Sequence, residues 1–354
     1  MANILVTGGA GYFGETLSRK LLDQGHHVRV LDLNRPAFEH PNLDIHQCDI
    51  RDPAGVARAC AGMAVVHHNV AQVPLAKDKA LFRSVNFDGM RILLDAAAAA
   101  NVEKVVYTST SAVFGAPKEL PVTLATAPAP AEAYGKAKLE AEHLCAEAVR
   151  QGYDVTIIRP RTILGHGRLG IMQILFDWVR HDDPVPVFSG GGNTYQFVHA
   201  DDLADACIAA GFRAGAATYN VGSREFGTMA DLLRGLIRHA GSRSKLVSVP
   251  MGPIAKLMNL TSGLGLSPLG PYHALMYGRA MYFDIEPACR DLGYDPAYSD
   301  AAALAESYDY YLANLDEAHL TEGRSHHQSS LNKRILSAAP MFLRLAPAVG
   351  ARGG

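Results

Sequence analysis

No apolar run in this 354-residue chain reaches membrane-spanning length before Gly, Pro or a charge breaks it. The five cysteines, Cys48, Cys60, Cys145, Cys207 and Cys289, form no CxxC pair. That spacing argues against a disulfide framework and for reduced thiols. None of the fifteen histidines has HExxH spacing, so no metal is expected. Charge of one sign is also lacking. With 33 basic and 35 acidic residues the formal net charge is −2, which leaves no basic field for nucleic acid or an anionic membrane. The first residues lack a basic start, and their short apolar run leads into glycines, unlike a signal peptide. A soluble, cytoplasmic chain is expected. Its length and 48% hydrophobic content suit one large domain with an appended lobe, or two domains.

What is present is concentrated in the first 32 residues. Asn3–Thr7 reads as a strand, Gly8-Gly-Ala-Gly11-Tyr12-Phe13-Gly14 as a tight turn, Glu15–Leu22 as a helix and His27–Leu31 as a second strand ending at Asp32. Glycines let the backbone approach a pyrophosphate, and the helix N-terminus offers N–H groups and partial positive charge. A carboxylate at the end of the second strand accepts hydrogen bonds from a ribose diol and repels a 2′-phosphate. The pattern therefore points to NAD, although Arg35 lies close enough to Asp32 to meet a phosphate.

Strands and helices then alternate. Leu43–Gln47, Ala64–His67, Lys104–Ser109 and Asp154–Arg159 read as strands; Asp78–Ala100 and Ala133–Gln151 read as helices. Val- and Ile-rich strands separated by helices imply a doubly wound parallel sheet, with ligands at the strand C-terminal ends. After Pro160 the pattern loosens. Pro184–Phe188 and Thr194–His199 suggest short strands, Asp201–Gly211 and Thr228–Ala240 helices, and Gly263–Pro271 a break. From about Thr321 the chain turns basic, and Ile335–Leu345 has an apolar helical pattern, read as an edge-packed extension or a docking helix.

Tyr134 and Lys138 stand i, i+4 at the start of a predicted helix and so share a face, whereas Lys136 does not. A phenol of pKa about 10 is a poor base at neutral pH, but an adjacent ammonium stabilises the phenolate, which can then exchange a proton with a hydroxyl or carbonyl. Thr108-Ser109-Thr110-Ser111 lies at a strand end before Tyr134, where a hydroxyl could orient a substrate oxygen.

With these motifs in order, the chain resembles the extended short-chain dehydrogenase/reductases, of the NAD-dependent epimerase/dehydratase and 3β-hydroxysteroid dehydrogenase type. The matches run from TGGAGYFG through CDIRD (48–52), VVHHNVAQV (65–73), VNFDGMRILLDAA (85–97), VYTSTSAVFG (106–115), YGKAK, IIRP (157–160), FVHADDLADA (197–206), YNVGS (219–223) and DLGYDP (291–296). The resemblance covers about residues 2–315. It implies an α/β fold: a Rossmann-type doubly wound parallel sheet with a smaller, mixed C-terminal substrate lobe. The expected division is 1–160 for the NAD-binding domain, whose core continues into 161–225, then 161–320 for the substrate lobe and 321–354 for an extension. It makes Tyr134 the acid/base, Lys138 its partner and Thr110 the hydroxyl that holds the oxygen. Gly8, Gly11, Tyr12, Phe13, Gly14, Asp32, Asp49, Ile50, Val70, Ala71, Thr108, Lys138 and Pro160 would hold the cofactor. Ser109, Ser111, Arg161 and Arg279 are candidate substrate contacts, with Arg168 another arginine able to meet a phosphate. Asn86 would tie backbone segments together or serve the site, and His68 reads as structural.

Departures from the family narrow the reaction. Ser111-Ala112 follows Thr110 where dehydratases carry Asp-Glu, and Ala112 stands where decarboxylases place Glu, so elimination and decarboxylation are disfavoured. Many epimerases carry Arg in the segment where this chain has Gly192-Asn-Thr-Tyr195-Gln196, which weakens a diphosphate contact. The expectation is an NAD-dependent enzyme acting at a secondary alcohol or ketone, foremost a nucleotide-sugar epimerase working by transient oxidation. The alternative is an NAD(P)-dependent ketoreductase or 3β-hydroxysteroid-type dehydrogenase, favoured by the missing arginine and the apolar 257–276 stretch. A non-catalytic NAD sensor is a third reading, disfavoured by the complete Tyr134, Lys138 and Thr110 set. The expected partners are a small-molecule substrate and a second copy of the chain, as a homodimer.

Overall fold

The chain runs β1 (Asn3–Thr7), α1 (Tyr12–Asp23), β2 (His27–Asp32), β3 (Leu43–Gln47), α2 (Pro53–Cys60), β4 (Val65–His68), α3 (Lys79–Arg83), a π-helical turn Ser84–Asp88, α4 (Gly89–Ala99), β5 (Lys104–Thr108), α5 (Ala133–Arg150) and β6 (Val155–Pro160) in a computed structural model. The structure describes residues 1–72, 79–167, 171–250 and 278–315. The expected break at 263–271, the apolar 257–276 stretch, the tail from Thr321 with its 335–345 pattern, and Arg168 lie outside the described residues.

The strands form a seven-stranded sheet in the order Ala217–Val221, β6, β5, β4, β1, β2, β3. Every pairing in it is parallel, as the sequence pattern implies. Strands β4, β5 and β6 are buried along their whole length, which explains their near-continuous apolar character, whereas the edge strand β3 is half exposed. Alternate residues sort the two faces. Leu5, Val66, Val105 and Ile157 pack with Met90 and Leu93 of α4 and with Ala141 and Cys145 of α5. On the other face α1 lies beside the helix Ala200–Phe212, and Lys20 Nζ ties them by reaching Asp205 at 2.7 Å and the Asp201 carbonyl at 3.2 Å.

Two compact units result. Among the described residues the first comprises 1–72, 79–163, 198–222 and 283–297; the second comprises 164–167, 171–197, 223–250, 278–282 and 298–315. In the second, the helices Ile171–Arg180, Met229–His239 and Asp300–Ala313 enclose Phe176, Val187, Tyr195, Leu233, Leu304 and Tyr308. Asp300 is buried there, accepts the Phe197 N–H with both oxygens and takes the Ser223 hydroxyl at 2.5 Å.

Two expectations about local structure are corrected. The continuous helix over 78–100 is interrupted by the Ser84–Asp88 π turn. The wider turn carries a buried Asn86 whose amide accepts the Gln72 N–H at 2.7 Å and donates to the Gln72 carbonyl at 3.1 Å. Asn86 thus ties backbone segments together. The strand over 194–199 is two pieces, Thr194–Tyr195 and Phe197–His199, parted at Gln196, whose side chain is buried and donates to the Ser223 carbonyl at 2.7 Å.

Asp300→Ala strands a buried N–H and a buried hydroxyl. We expect a loss of about 3 kcal/mol, read as a lower urea midpoint. An unchanged midpoint would show the second unit does not depend on this carboxylate.

Candidate active site

The chain turns immediately after β1. Gly8 has φ +72°, and a Cβ there would lie 3.0 Å from Val70 N and 3.1 Å from the Asn69 carbonyl carbon. A Cβ on Gly14 would lie 2.0 Å from the Gly8 carbonyl oxygen, an approach only glycine permits. Gly11 begins α1 without any side-chain cap. Such a cradle of bare backbone at a helix N-terminus fits a pyrophosphate. Asp32 closes it: one oxygen accepts the Ala10 N–H at 3.2 Å and the other that of Asn34 at 3.0 Å, while burial holds the carboxyl above its usual pKa. The residues present therefore fit a dinucleotide.

The other expected cofactor contacts fall around the same strand ends. Tyr12 and Phe13 are buried in the first turn of α1, Ile50 is buried past β3, and Val70 and Ala71 follow β4 half-buried. Asp49 is a different case. Its carboxylate takes both Arg51 Nε at 2.9 Å and Nη2 at 2.6 Å, and that pairing holds its pKa low. Thr108 closes β5 and donates its hydroxyl to Asn69 Oδ1 at 2.6 Å. Pro160 is buried at the end of β6.

A second close approach joins the turn after Thr110 to the start of α5. Residues Ser111–Phe114 form a single 3₁₀ turn, and Gly135, in the first turn of α5, faces it. A Cβ on Gly135 would meet the Ala112 carbonyl at 2.6 Å. Glycine lets the start of α5 seat on this turn, which brings Tyr134 into the neighbourhood of Thr110. Glu132 caps the helix by accepting the Tyr134 and Gly135 N–H groups, each at 2.7 Å. Thr110 Oγ1 accepts the Ala112 N–H at 3.2 Å, which commits a lone pair. Its hydroxyl proton has no acceptor among the described residues and can be given to a substrate oxygen.

Lys138 is 1% exposed. Its Nζ donates to the Thr108 carbonyl at 2.6 Å and stands 4.3 Å from the Tyr107 ring. Burial brings its pKa down to about 7, against the opposing pull of Glu142 one turn further along α5. Glu142 is itself buried and bound bidentately by Arg159, with Nε at 3.0 Å and Nη2 at 2.6 Å. His68 accompanies this group without a charge. Its Nδ1 bonds Thr7 Oγ1 at 2.7 Å, its ring stacks on Tyr107, and burial lowers its pKa to about 3. The structural reading of His68 fits this placement.

Four candidate substrate contacts sort differently. Ser109 is corrected: its hydroxyl donates to Glu142 Oε1 at 2.5 Å and is buried, so it belongs to the charge network rather than to a substrate surface. Ser111 is buried at the start of the 3₁₀ turn. Arg161 is 1% exposed, with its guanidinium 5.6 Å from the Phe283 ring, while Arg279 is exposed in the second unit. Sequence reasoning missed Glu142, Arg159 and Glu132. Glu142 could have been found as the next i+4 step from Lys138; Arg159 has no local signal that it turns inward to meet it.

These features belong together in one family. Residues 4–222 match the NAD dependent epimerase/dehydratase family, and the chain is a member of it. A Sinorhizobium fredii relative, the uncharacterized protein y4nG, is 56% identical over 345 residues, covering 97% of this chain and 87% of that protein. A 3β-hydroxysteroid dehydrogenase/Δ5→4-isomerase of Mycobacterium tuberculosis is 29% identical over 348 residues, covering 90% of this chain and 92% of its own. The fold is shared with the UDP-glucose 4-epimerase of Thermotoga maritima, at TM-score 0.74 and 24% identity over 88% of this chain and 99% of that one. Among the described residues no helix is long and apolar enough to cross a membrane.

Folded Lys138 titrates near 7, below the ordinary 10.5, so its charge destabilises the fold at low pH and ceases to do so as pH rises toward 10.5. Lys138→Met should raise the melting temperature relative to the parent at about pH 6, with a smaller gain at about pH 10. An equal gain at both would contradict the burial account.

Proposed function

We propose that the chain oxidises a secondary alcohol carbon, or reduces the ketone, with NAD as its resident cofactor. The observation that carries this reading is the buried Lys138 ammonium one helical turn from Tyr134, beside a Thr110 hydroxyl whose proton is uncommitted. Bound NAD would supply the two-electron acceptor. Tyr134, as phenolate, would take the hydroxyl proton of the substrate, and Lys138 would hold that phenolate ionised. Thr110 would donate to the substrate oxygen and fix its position. The glycine cradle would hold the pyrophosphate and Asp32 the adenosine ribose. The Asp32 carboxylate repels a 2′-phosphate, which supports NAD over NADP. Asp32→Ala is therefore expected to raise the NADP-to-NAD affinity ratio about tenfold; an unchanged ratio would remove Asp32 as the selecting residue.

The first form of this activity is transient: the ketone stays bound, is reduced on its other face, and a nucleotide sugar leaves epimerised. The epimerase fold supports it. The second form is net oxidation, as in a 3β-hydroxysteroid-type dehydrogenase. Gln196 favours it, because a buried amide committed to the Ser223 carbonyl stands in the segment where many epimerases present an arginine to a diphosphate. The steroid-dehydrogenase relative, which aligns over nearly the whole chain, favours it as well.

Purified protein without added cofactor separates the two. An epimerase carries near-stoichiometric NAD and interconverts UDP-glucose and UDP-galactose with no net NADH. A dehydrogenase needs added NAD and accumulates NADH with a 3β-hydroxysteroid. Binding of neither NAD nor NADP would overturn both forms.

A further inference from the structure

Helix α5 opens on a long, charged cap. Ser, Thr, Asn and Asp are the side chains that ordinarily cap a helix, because a short arm reaches the free N–H groups. Here the cap is Glu132, and it is two-pronged: Oε2 accepts the Tyr134 N–H and Oε1 the Gly135 N–H, each at 2.7 Å. Accepting with both oxygens fits a carboxylate rather than a carboxylic acid. Oε1 also lies 2.9 Å from where a Gly135 Cβ would be, on the side where α5 meets the Ala112 carbonyl. Glu132 is half-buried, and burial lifts its carboxyl above the usual range against the pull of those bonds and of Lys136.

The N-terminus of a helix carries partial positive charge, which favours an anion in the first turn. Tyr134 stands in that turn and must become an anion to take a proton. Glu132 sets a full negative charge against the same N–H groups. Tyr134 carries both the capped N–H and the phenol, so chain dimensions alone keep the carboxylate within about 10 Å of the phenol oxygen, near enough for a half-buried charge to act. Its sign opposes that of Lys138. The other charges on elements packed against α5 are matched or turned away. Arg159 of β6 binds Glu142, Arg83 of α3 pairs with Glu140, and Arg91 of α4 lies over the Phe87 ring. Lys136 is exposed, and Tyr107 of β5 is neutral, its phenol pushed well above its ordinary pKa by burial.

We propose that Glu132 is a positioning residue for the proton: its charge holds the proton on the Tyr134 phenol, and Lys138 opposes it. This rests on the proton-transfer reading above. Lys138 favours the phenolate, which takes a proton from an alcohol. Glu132 favours the phenol, which returns one to a ketone. Acid–base catalysis in both directions needs the two forms close in free energy, and two unlike charges bring them closer than either charge alone. A serine in the same place would close the helix end without this effect.

The test reads the phenol directly, by carbon NMR of the full chain labelled at tyrosine Cζ, with the Tyr134 signal identified by its loss in Tyr134→Phe. Glu132→Gln and Glu132→Ser remove the charge, and the serine keeps a neutral cap. Glu132→Asp keeps both charge and cap. The Tyr134 phenol should ionise about tenfold more readily in the Gln and Ser variants, its midpoint about one pH unit lower, and as in the parent in the Asp variant. Melting temperatures should instead follow the cap, with the Ser and Asp variants near the parent and the Gln variant below it. A midpoint that stays or rises in either folded neutral variant would overturn the proposal. So would an Asp variant that shifts as the Ser variant does, because the effect would then trace to cap geometry. Lys138→Met should raise the same midpoint; if it does not, the proton-transfer reading fails, separately from the effect of Glu132.

Discussion

Taking the Lys138 ammonium out of water is the constraint to which the rest of the site answers. Nothing polar from solvent can solvate a side chain this buried, so the protein must do so. It offers the Thr108 carbonyl, the face of Tyr107 and, a turn away, the Glu142 carboxylate. Glu142 then needs its own compensation and receives it from Arg159 and the Ser109 hydroxyl. Burial still wins, since Lys138 is left with a pKa near 7. Where it is held, the charge of this amine acts from a poorly solvated position one helical turn from Tyr134. The same arrangement sacrifices stability, as functional sites commonly do.

Two close backbone approaches decide where that field acts. Gly135 lets α5 seat on the 111–114 turn, and Gly8 lets the first turn of the chain meet the end of β4. Each closes a gap that even a methyl group would hold open. One seats the start of α5, which carries Tyr134, on the turn that follows Thr110; the other leaves the start of α1 free of any side-chain cap. Both belong to the first unit, so the glycine turn and the Thr110–Tyr134–Lys138 group share a single parallel sheet.

Much of this was legible in the sequence for a physical reason. The glycine spacing, the acid at the end of β2 and the Tyr134–Lys138 step are local patterns, each dictated by contacts within a few residues or one turn. Six of the seven parallel strands were legible too, because burial on both faces leaves Val- and Ile-rich runs, whereas the edge strand Ala217–Val221 was not. The partners of Glu142 were not. Arg159 is 17 residues away and meets it only because β6 lies beside β5 under α5. Ser109 misled for the same reason: a hydroxyl among four in a row gives no sign of which way it turns. The π turn at Ser84–Asp88 was hidden because the partner of its buried Asn86, the Gln72 backbone, lies 14 residues back in the chain. Tyr107 and Asn69 drew no reading from the sequence, yet the Tyr107 ring stands 4.3 Å from Lys138 Nζ and Asn69 Oδ1 accepts the Thr108 hydroxyl at 2.6 Å.

The account stands on Tyr134 moving the proton while other groups hold the cofactor and the substrate. The direct measurement is a single turnover of nucleotide-loaded protein with a substrate alcohol, followed by the absorbance of reduced nicotinamide, in the parent and in Tyr134→Phe. The account predicts a rate lower by about 10³-fold in the variant, with the dissociation constant for NAD unchanged. A variant that turns over as fast as the parent would contradict it.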